Sequence, residues 1–154
     1  STTLNNVRYT EYMKRMIVSG YFNPLHVGHL EMMENGRKRA DYLIVIVNND
    51  AQQMLKKGQI ILKEDDRVRV VKALRVVDEV VLSIDDDPSV SKTLEMLAKR
   101  YADDELIFGN GGDRTSGKVV PETGVCERYN IPMQFDLAAQ LDSSTRITSA
   151  MTKL

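Results

Sequence analysis

Short apolar runs alternate with longer amphipathic stretches along most of this chain. Each run holds three to five mostly β-branched, leucine or aromatic residues between turn-forming or charged residues. This pattern is typical of strands buried in a core. The runs therefore predict five strands, at Met16–Ser19, Leu43–Val47, Val80–Ser83, Leu106–Phe108 and Met133–Phe135.

The stretches between the runs carry apolar residues at the three- and four-residue spacing of a helix. Strands that alternate with helices of about ten residues form βαβ units, and such units build a parallel sheet. We therefore predict an α/β domain with helices at Gly28–Ala40, Asp66–Val76, Val90–Tyr101, Glu122–Tyr129 and Ser143–Leu154.

Two parts of the chain lack clear periodicity. Residues 1–13 are expected to form an N-terminal extension to a single domain over residues 14–154. The stretch after the second run contains Asn48-Asn49-Asp50 and Lys56-Lys57-Gly58 and is polar. We expect it to be a long connection to the next helix.

Composition narrows the class of protein. An apolar content of 42% and a charged content of 28% are those of an ordinary globular domain. A net charge of −1 leaves no basic surface for nucleic acid or for a membrane. No apolar run approaches the ~20 residues that span a bilayer, and no signal-peptide pattern opens the chain. The single cysteine, Cys126, excludes an internal disulfide and suits the cytoplasm, where we expect the protein to act.

Two histidines, the only ones in the chain, follow the first predicted strand. His26 and His29 lie at the start of a predicted helix, where backbone N–H groups and the helix dipole attract anions. Gly28 between them leaves room for a ligand to approach. The alternatives are a metal pair or ordinary surface residues, but zinc would lack a third histidine or a second cysteine. We therefore predict a nucleotide phosphate site and no protein-bound metal.

Cations later in the chain could serve the same phosphates. Lys56 and Lys57 precede a glycine, and Arg67 and Arg75 lie eight residues apart on one predicted helix. A lysine pair is also common on solvated surfaces, and an arginine at a helix end can simply complement the helix dipole. An arginine can equally clamp a phosphate with two hydrogen bonds.

Two further segments combine small or hydroxyl residues with an arginine. Gly109, Gly111 and Gly112 follow the fourth predicted strand and could admit a base or ribose, with Asp113 and Arg114 beside them, or could form a simple turn. Ser143, Ser144 and Thr145 open the last predicted helix before Arg146. They could act as a helix cap or as a second phosphate site.

Together these segments resemble the cytidylyltransferase-like nucleotidyltransferases. Residues 20–29, GYFNPLHVGH, resemble the signature G-x-F-D-x-x-H-x-G-H. Residues 64–67, EDDR, and 73–80, ALRVVDEV, resemble the E-x-R…I-R-Y-V-D-E-V stretch of the glycerol-3-phosphate cytidylyltransferases. Ser143–Ile147 stands where that family has I-S-T-T-K-I. The resemblance extends from Lys14 to Met151.

The resemblance implies a doubly wound, Rossmann-like domain with a five-stranded parallel sheet in the order 3-2-1-4-5, expected to form a homodimer. It implies transfer of CMP from CTP, with Mg²⁺, to a small phosphorylated or phosphonate acceptor. By this similarity His26 and His29 contact the triphosphate, Lys56 or Lys57 together with Arg67 and Arg75 neutralise phosphates, and Ser143–Thr145 bind the far end. From the resemblance and the residues together we expect His26, His29, Lys57 and Arg75 to be catalytic and Arg67, Arg114 and Arg146 to bind the acceptor. The nucleotide is bound by Gly20, Tyr21, Phe22, Asn23, Gly28, Lys56, Gly109, Gly111, Gly112, Asp113, Ser143, Ser144 and Thr145.

Three departures keep alternatives open. Asn23 stands where the signature has Asp, and Ala139–Asp142 replaces an R-T-x-G element. Gly111-Gly112-Asp113 also resembles the G-G-D of heptose-phosphate adenylyltransferases, which implies ATP and a sugar phosphate instead of CTP. A nucleotide-binding sensor without catalysis is a third possibility. The longer match to the glycerol-phosphate enzymes makes CTP the first expectation.

Overall fold

The computed structural model describes residues 13–110 and 120–137. Its strands are β1 Lys14–Gly20, β2 Tyr42–Val47, β3 Glu79–Leu82, β4 Glu105–Gly109 and β5 Met133–Gln134. Its helices are α1 Val27–Lys38, α2 Asp50–Lys57, α3 Glu64–Lys72, α4 Ser91–Arg100 and α5 Thr123–Arg128. None of the helices in these two ranges is long and apolar enough to cross a membrane.

The five strands form one sheet in the order β3-β2-β1-β4-β5, and every neighbouring pair is parallel. The register places Met16 of β1 beside Leu43 of β2 and Ile107 of β4. The predicted fold class and strand order are therefore confirmed. Strands β2 and β3 lie on one side of β1, and strands β4 and β5 lie on the other side. The order of the strands thus reverses beside β1, and ligands of such sheets bind at this kind of switch point.

Both faces of the sheet are covered, which explains why its central strands are almost wholly apolar. On one face, β1 and β2 side chains such as Ile17 and Ile44 pack against α4 and α5. On the other face, Met16, Val18 and Val45 pack with residues of α1 and α3. Helices on both faces make the domain doubly wound.

Helix α2 was expected to be a loop, and that prediction is wrong. Asn49 caps its first turn by accepting the backbone N–H of Gln52 at 2.9 Å, and the Gln52 side chain accepts the N–H of Asn49 at 2.9 Å. Gly58 ends the helix with φ of 66°, a backbone conformation that glycine adopts without strain. The predicted helix Asp66–Val76 begins and ends earlier, as α3.

Several predictions lie outside the described residues. They include the extension before Met13, the segment with Gly111, Gly112, Asp113 and Arg114, and the last predicted helix with Ser143, Ser144, Thr145 and Arg146.

Candidate functional site

A cavity of about 730 Å³ opens where β1 and β2 end. Gly20 and Val47, the last residues of the two strands, lie side by side, so the loops that follow leave from one edge of the sheet. The cavity lies between the loop after β1, the first turn of α1 and the last turns of α2. Its lining includes the predicted residues Gly20, Tyr21, Phe22, Asn23, His26, His29, Lys56 and Lys57.

His26 and His29 form a reciprocal cap at the start of α1. The Nδ1 atom of His26 accepts the backbone N–H of Gly28 at 3.0 Å, and the Nδ1 atom of His29 accepts the backbone N–H of His26 at 3.1 Å. The two rings stack with their centroids 3.7 Å apart. Gly28 therefore donates its N–H to the imidazole of His26, so this backbone donor at the start of α1 is already paired within the chain.

The cap determines where each imidazole carries its proton. An Nδ1 atom that accepts a hydrogen bond has no proton of its own, so the ring proton is on Nε2 in both histidines. Burial, helped by the nearby His26, lowers the pKa of His29 from 6.5 to about 4. At neutral pH His29 is thus a neutral Nε2–H donor at the edge of the cavity.

The lowered pKa of His29 makes the stability of the protein depend on pH. Between pH 6.5 and about 4, His29 is protonated in the unfolded chain but not in the native protein. The contribution of His29 to the free energy of unfolding is therefore complete above pH 6.5 and is lost as the pH falls through that window. We expect a loss of roughly 1–2 kcal/mol, allowing for solvent screening. Urea unfolding between pH 7.5 and 4.5 measures it, with His29→Asn as the matched protein that lacks the titrating ring. Parallel pH curves for the two proteins would contradict the prediction.

Phe22 and Gly20 form the wall beneath the histidines. The Phe22 ring is 98% buried, since its exposed fraction is 2%, and its edge meets the His29 ring with centroids 5.0 Å apart. A Cβ atom on Gly20 would lie only 2.7 Å from the Phe22 ring. Gly20 is therefore required for Phe22 to pack under His29, and Phe22 itself has φ of 53°. Gly20 and Phe22 thus line the cavity and also support the ring of His29.

Asn23 joins the loop after β1 to the segment before α3. Its Oδ1 atom accepts the backbone N–H groups of Ile61 at 3.2 Å and Leu62 at 2.7 Å. A carboxylate oxygen could accept the same two bonds, so asparagine keeps the structural part of what the signature aspartate can do. The departure from the signature removes a charge from the cavity wall and leaves the loop geometry in place.

Arg67, which was expected to bind a phosphate of the acceptor, has a different role in this structure. Its side chain is fully buried, with an exposed fraction of 0%, and it forms an ion pair with Asp50 at 2.7 Å. Its guanidinium also donates to three backbone carbonyls, those of Leu62, Tyr21 and Asn48, at 2.6 to 2.8 Å. A substrate phosphate cannot reach a guanidinium in this position, so Arg67 ties the loops after β1 and β2 to α3.

Three side chains on one face of α2 border the cavity. Gln53, Lys56 and Lys57 are spaced three and four residues apart, which brings them to one side of a helix. The ammonium group of Lys56 lies over the Tyr21 ring, 4.8 Å from its centroid. The two lysines are exposed and border the cavity, and their expected contact with phosphate stays a prediction, whereas Gln53 was not predicted as a site residue.

Gln52, which was also not predicted as a site residue, forms hydrogen bonds with the loop after β3. This residue is 0% exposed, and its amide nitrogen donates to the carbonyls of Asp87 at 2.6 Å and Ser89 at 2.8 Å. The amide of Asn49 donates to the carbonyls of Ser83 and Asp85 in the same loop. The spacing of Asn49 and Gln52 as a capping box was the signal that could have identified both residues.

Two further assignments do not bring residues to the cavity within one chain. Arg75 is exposed in the turn before β3, where Asp78 donates its backbone N–H to Leu43 at the start of β2. This turn lies where β2 and β3 begin, whereas the histidines follow the end of β1, so the two lie at opposite ends of the strands. Gly109 is a packing residue, because a Cβ atom there would overlap the Leu137 side chain and lie 2.9 Å from the sulfur of Met16.

The described residues offer no protein cage for a divalent metal. No group of three or more histidine, cysteine, aspartate or glutamate side chains in ranges 13–110 and 120–137 is arranged to hold an ion. The cavity lining found there includes no carboxylate. Mg²⁺ prefers carboxylate and phosphate oxygens, so in this part of the chain it fits only as a companion of a bound triphosphate.

The chain belongs to the cytidylyltransferase-like family, whose sequence profile matches residues 17–135. This range includes the capped histidines, all of the cavity lining and the five strands except the first three residues of β1. The broader resemblance predicted from the histidine signature is therefore confirmed.

Three relatives of this chain are named as FAD synthases or as the bifunctional protein HldE, not as glycerol-3-phosphate cytidylyltransferases. The chain is 39% identical to an FAD synthase of Ferroglobus placidus over 55% of this chain and 54% of the relative. It is 34% identical to an FAD synthase of Pyrococcus abyssi over 64% of each chain. It is also 34% identical to the bifunctional protein HldE of Gluconobacter oxydans over 70% of this chain and 24% of that protein. These relatives do not support the finer resemblance to glycerol-3-phosphate cytidylyltransferases.

The chain thus spans between about a quarter and two thirds of the length of these relatives. A solved structure, the lipopolysaccharide core biosynthesis protein from Thermoplasma volcanium, superimposes with a TM-score of 0.56 over 80% of this chain and 93% of that one. At 23% sequence identity this likeness supports the fold alone.

Proposed function

We propose that this protein transfers an adenylyl group from ATP to a small phosphorylated acceptor and releases pyrophosphate. The observation that carries the proposal is the pair of stacked, mutually capped histidines, whose Nε2–H groups stand at a helix start over a cavity bordered by two lysines. Imidazole N–H donors and exposed ammonium groups around one cavity suit a polyphosphate that changes its charge distribution during reaction.

The reaction that fits is an in-line displacement at the α-phosphorus. An acceptor phosphate oxygen forms a bond to that phosphorus, the bond to the bridging oxygen breaks, and its electron pair leaves with pyrophosphate. The acceptor phosphate is already ionised at pH 7, so no general base is needed. Catalysis then consists of alignment and of stabilising charge on the departing group.

Each residue of the site has a definite task in this scheme. His26 and His29 donate from Nε2 to oxygens of the triphosphate, while Lys56 and Lys57 neutralise phosphate charge from the α2 side. Mg²⁺ enters with the nucleotide as part of the substrate. Arg75 and Arg67 do not contact the substrates in this scheme. Within one chain, Arg75 lies at the opposite ends of the strands from the histidines, and Arg67 is buried with its guanidinium paired to Asp50 and to three backbone carbonyls.

The names of the relatives favour ATP as the nucleotide, whereas the sequence led us to expect CTP first. The product that gives an FAD synthase its name contains an adenine nucleotide, and FAD synthases of five organisms match this chain. The resemblance of Gly111-Gly112-Asp113 to the G-G-D of adenylyltransferases supports the same nucleotide. Cytidylyl transfer stays the second candidate, since residues 73–80 resemble the glycerol-phosphate enzymes.

Direct competition between the nucleotides tests the choice. Equal concentrations of ATP and CTP, with Mg²⁺ and a pool of phosphorylated acceptors, should yield acceptor–AMP conjugates in excess of acceptor–CMP conjugates by mass spectrometry. Predominance of CMP conjugates would return the assignment to cytidylyl transfer. Tight nucleotide binding with no conjugate and no pyrophosphate would favour the third possibility, a sensor without catalysis.

A further inference from the structure

The last turn of α2 is exposed on every side. Residues 54–59 form an unbroken exposed stretch, which includes this turn and Gly58 after it. A surface helix normally buries one face against the core, and that packing restricts the side chains beside it. Lys56 and Lys57, the two cations of this turn, therefore receive no support from packing of the turn itself.

Neither lysine is paired with an acid in the part of the chain that the structure describes. Over ranges 13–110 and 120–137, the side chains of Lys56 and Lys57 form no ion pair and no hydrogen bond, and the cavity that they border has no carboxylate in its lining. Both ammonium groups are thus available to an anion. A lysine side chain that moves freely in solvent loses much rotamer freedom when it binds an anion, which weakens the contact.

Tyr21 distinguishes the two lysines. The ammonium group of Lys56 lies over the Tyr21 ring, 4.8 Å from its centroid, and no aromatic ring of the described residues lies beneath Lys57. A cation–π contact at an exposed site changes an equilibrium constant by a factor of about two to five. An ammonium group has three N–H donors, so contact with the ring leaves donors free for phosphate oxygens.

The Tyr21 ring is a rigid support. The backbone carbonyl of Tyr21 accepts a hydrogen bond at 2.7 Å from Arg67, whose side chain is fully buried, and the hydroxyl oxygen at the far end of the ring is also buried. Burial raises the pKa of Tyr21, so the ring stays neutral at physiological pH. Both Tyr21 and Lys56 border the cavity. The ring can therefore restrict a lysine that its own helix leaves free.

We infer that Tyr21 is a positioning residue whose ring holds the ammonium group of Lys56 at the cavity and so strengthens the contact of Lys56 with the phosphates of the nucleotide. This inference rests on the proposed function for the identity of the anion. Tyr21, which the resemblance placed directly on the nucleotide, then acts through Lys56. Lys56 rather than Lys57 is the preorganised cation of the site.

Inorganic tripolyphosphate is the probe, because it presents the phosphates of ATP and CTP without their bases. In calorimetric titrations of the full chain, Tyr21→Leu should bind it about two- to fivefold more weakly than wild type. Tyr21→Phe keeps the ring and should keep the wild-type affinity. Tyr129→Leu removes a ring that Arg128 approaches at 6.0 Å away from the cavity, and it should also bind like wild type.

A double-mutant cycle separates positioning from a purely structural effect of the ring. In the Lys56→Met background, Tyr21→Leu should cause no further loss of affinity, because the ring no longer has an ammonium group to hold. In the Lys57→Met background, Tyr21→Leu should cause the same loss as in wild type. A general distortion of the loop after β1 would instead weaken binding equally in both backgrounds.

Three results would overturn the inference: no binding of tripolyphosphate to wild type, binding by Tyr21→Leu at least as tight as that of wild type, or an equal loss in Tyr21→Leu with and without Lys56. Coupling between Tyr21 and Lys56 without any conjugate formed from ATP or CTP would leave the inference standing and reject the proposed transfer. Conjugate formation without this coupling would keep the proposed function and reject the inference.

Discussion

His29→Asn is expected to lower kcat about a hundredfold or more while the protein stays folded. Asparagine can place an oxygen near the position of Nδ1 and so continue to accept the backbone N–H of His26. It cannot reach the position of Nε2, so the donor to the triphosphate is lost. Removing one donor that stabilises charge in a transition state costs about 3–4 kcal/mol, which is a factor of 10²–10³ in rate.

A second variant separates the donor from the cap. His29→Gln extends its amide toward the Nε2 position, so we expect it to recover part of the activity lost in His29→Asn. Single-turnover rates and urea unfolding of both variants, beside wild type, give the two effects independently. If His29→Asn turned over at nearly the wild-type rate, the histidine would not contact the reacting phosphates and the site assignment would fail.

Arg67→Met should lower the free energy of unfolding by about 3–5 kcal/mol. Methionine fills much of the space but leaves three backbone carbonyls and the Asp50 carboxylate without their donor. Loss of one partner from a buried ionic network typically has a cost of this size. The loops after β1 and β2 would separate from α3, so the cavity would lose its shape as well.

Arg69→Met is the matched control, because Arg69 is exposed on the same helix. Its unfolding free energy should stay within about 0.5 kcal/mol of wild type in urea titrations. If Arg67→Met fails to fold while Arg69→Met folds, the structural role is supported even more strongly. Wild-type stability together with lost acceptor affinity in Arg67→Met would instead restore its assignment to the substrate.

The fold could be predicted from the sequence because its strands are buried on both faces. Central strands such as Leu43–Val47 have no polar residue to confuse their recognition. Helix α2 was not predicted because its buried positions are polar and its exposed positions are apolar, the reverse of the usual amphipathic pattern. Its buried positions are Gln52 and Gln53, while Met54 and Leu55 are 50% and 64% exposed, so hydrophobic periodicity gave the wrong answer.

The site could be predicted only where the chemistry is local in sequence. The two histidines and Gly28 lie within one helical turn, and their position at the start of a helix could be inferred from the spacing, while their roles stay a prediction. Arg67 could not, because its partners come from three different segments, and a charged residue on a helix is usually exposed. Its position four residues before the buried Val71 was a signal that it faces the core.

The central claim is that the α-phosphoryl group of the nucleotide moves to the acceptor, and isotope position tests it most directly. ATP labelled with ³²P at the α- or γ-phosphate is incubated with Mg²⁺ and a pool of phosphorylated acceptors, and the products are treated with phosphatase. The account predicts that α-label appears in a phosphatase-resistant conjugate, whereas γ-label appears in pyrophosphate before the phosphatase treatment and never in a phosphatase-resistant product. Transfer of γ-label to the acceptor, or α-label found only in ATP and its hydrolysis products, would contradict it.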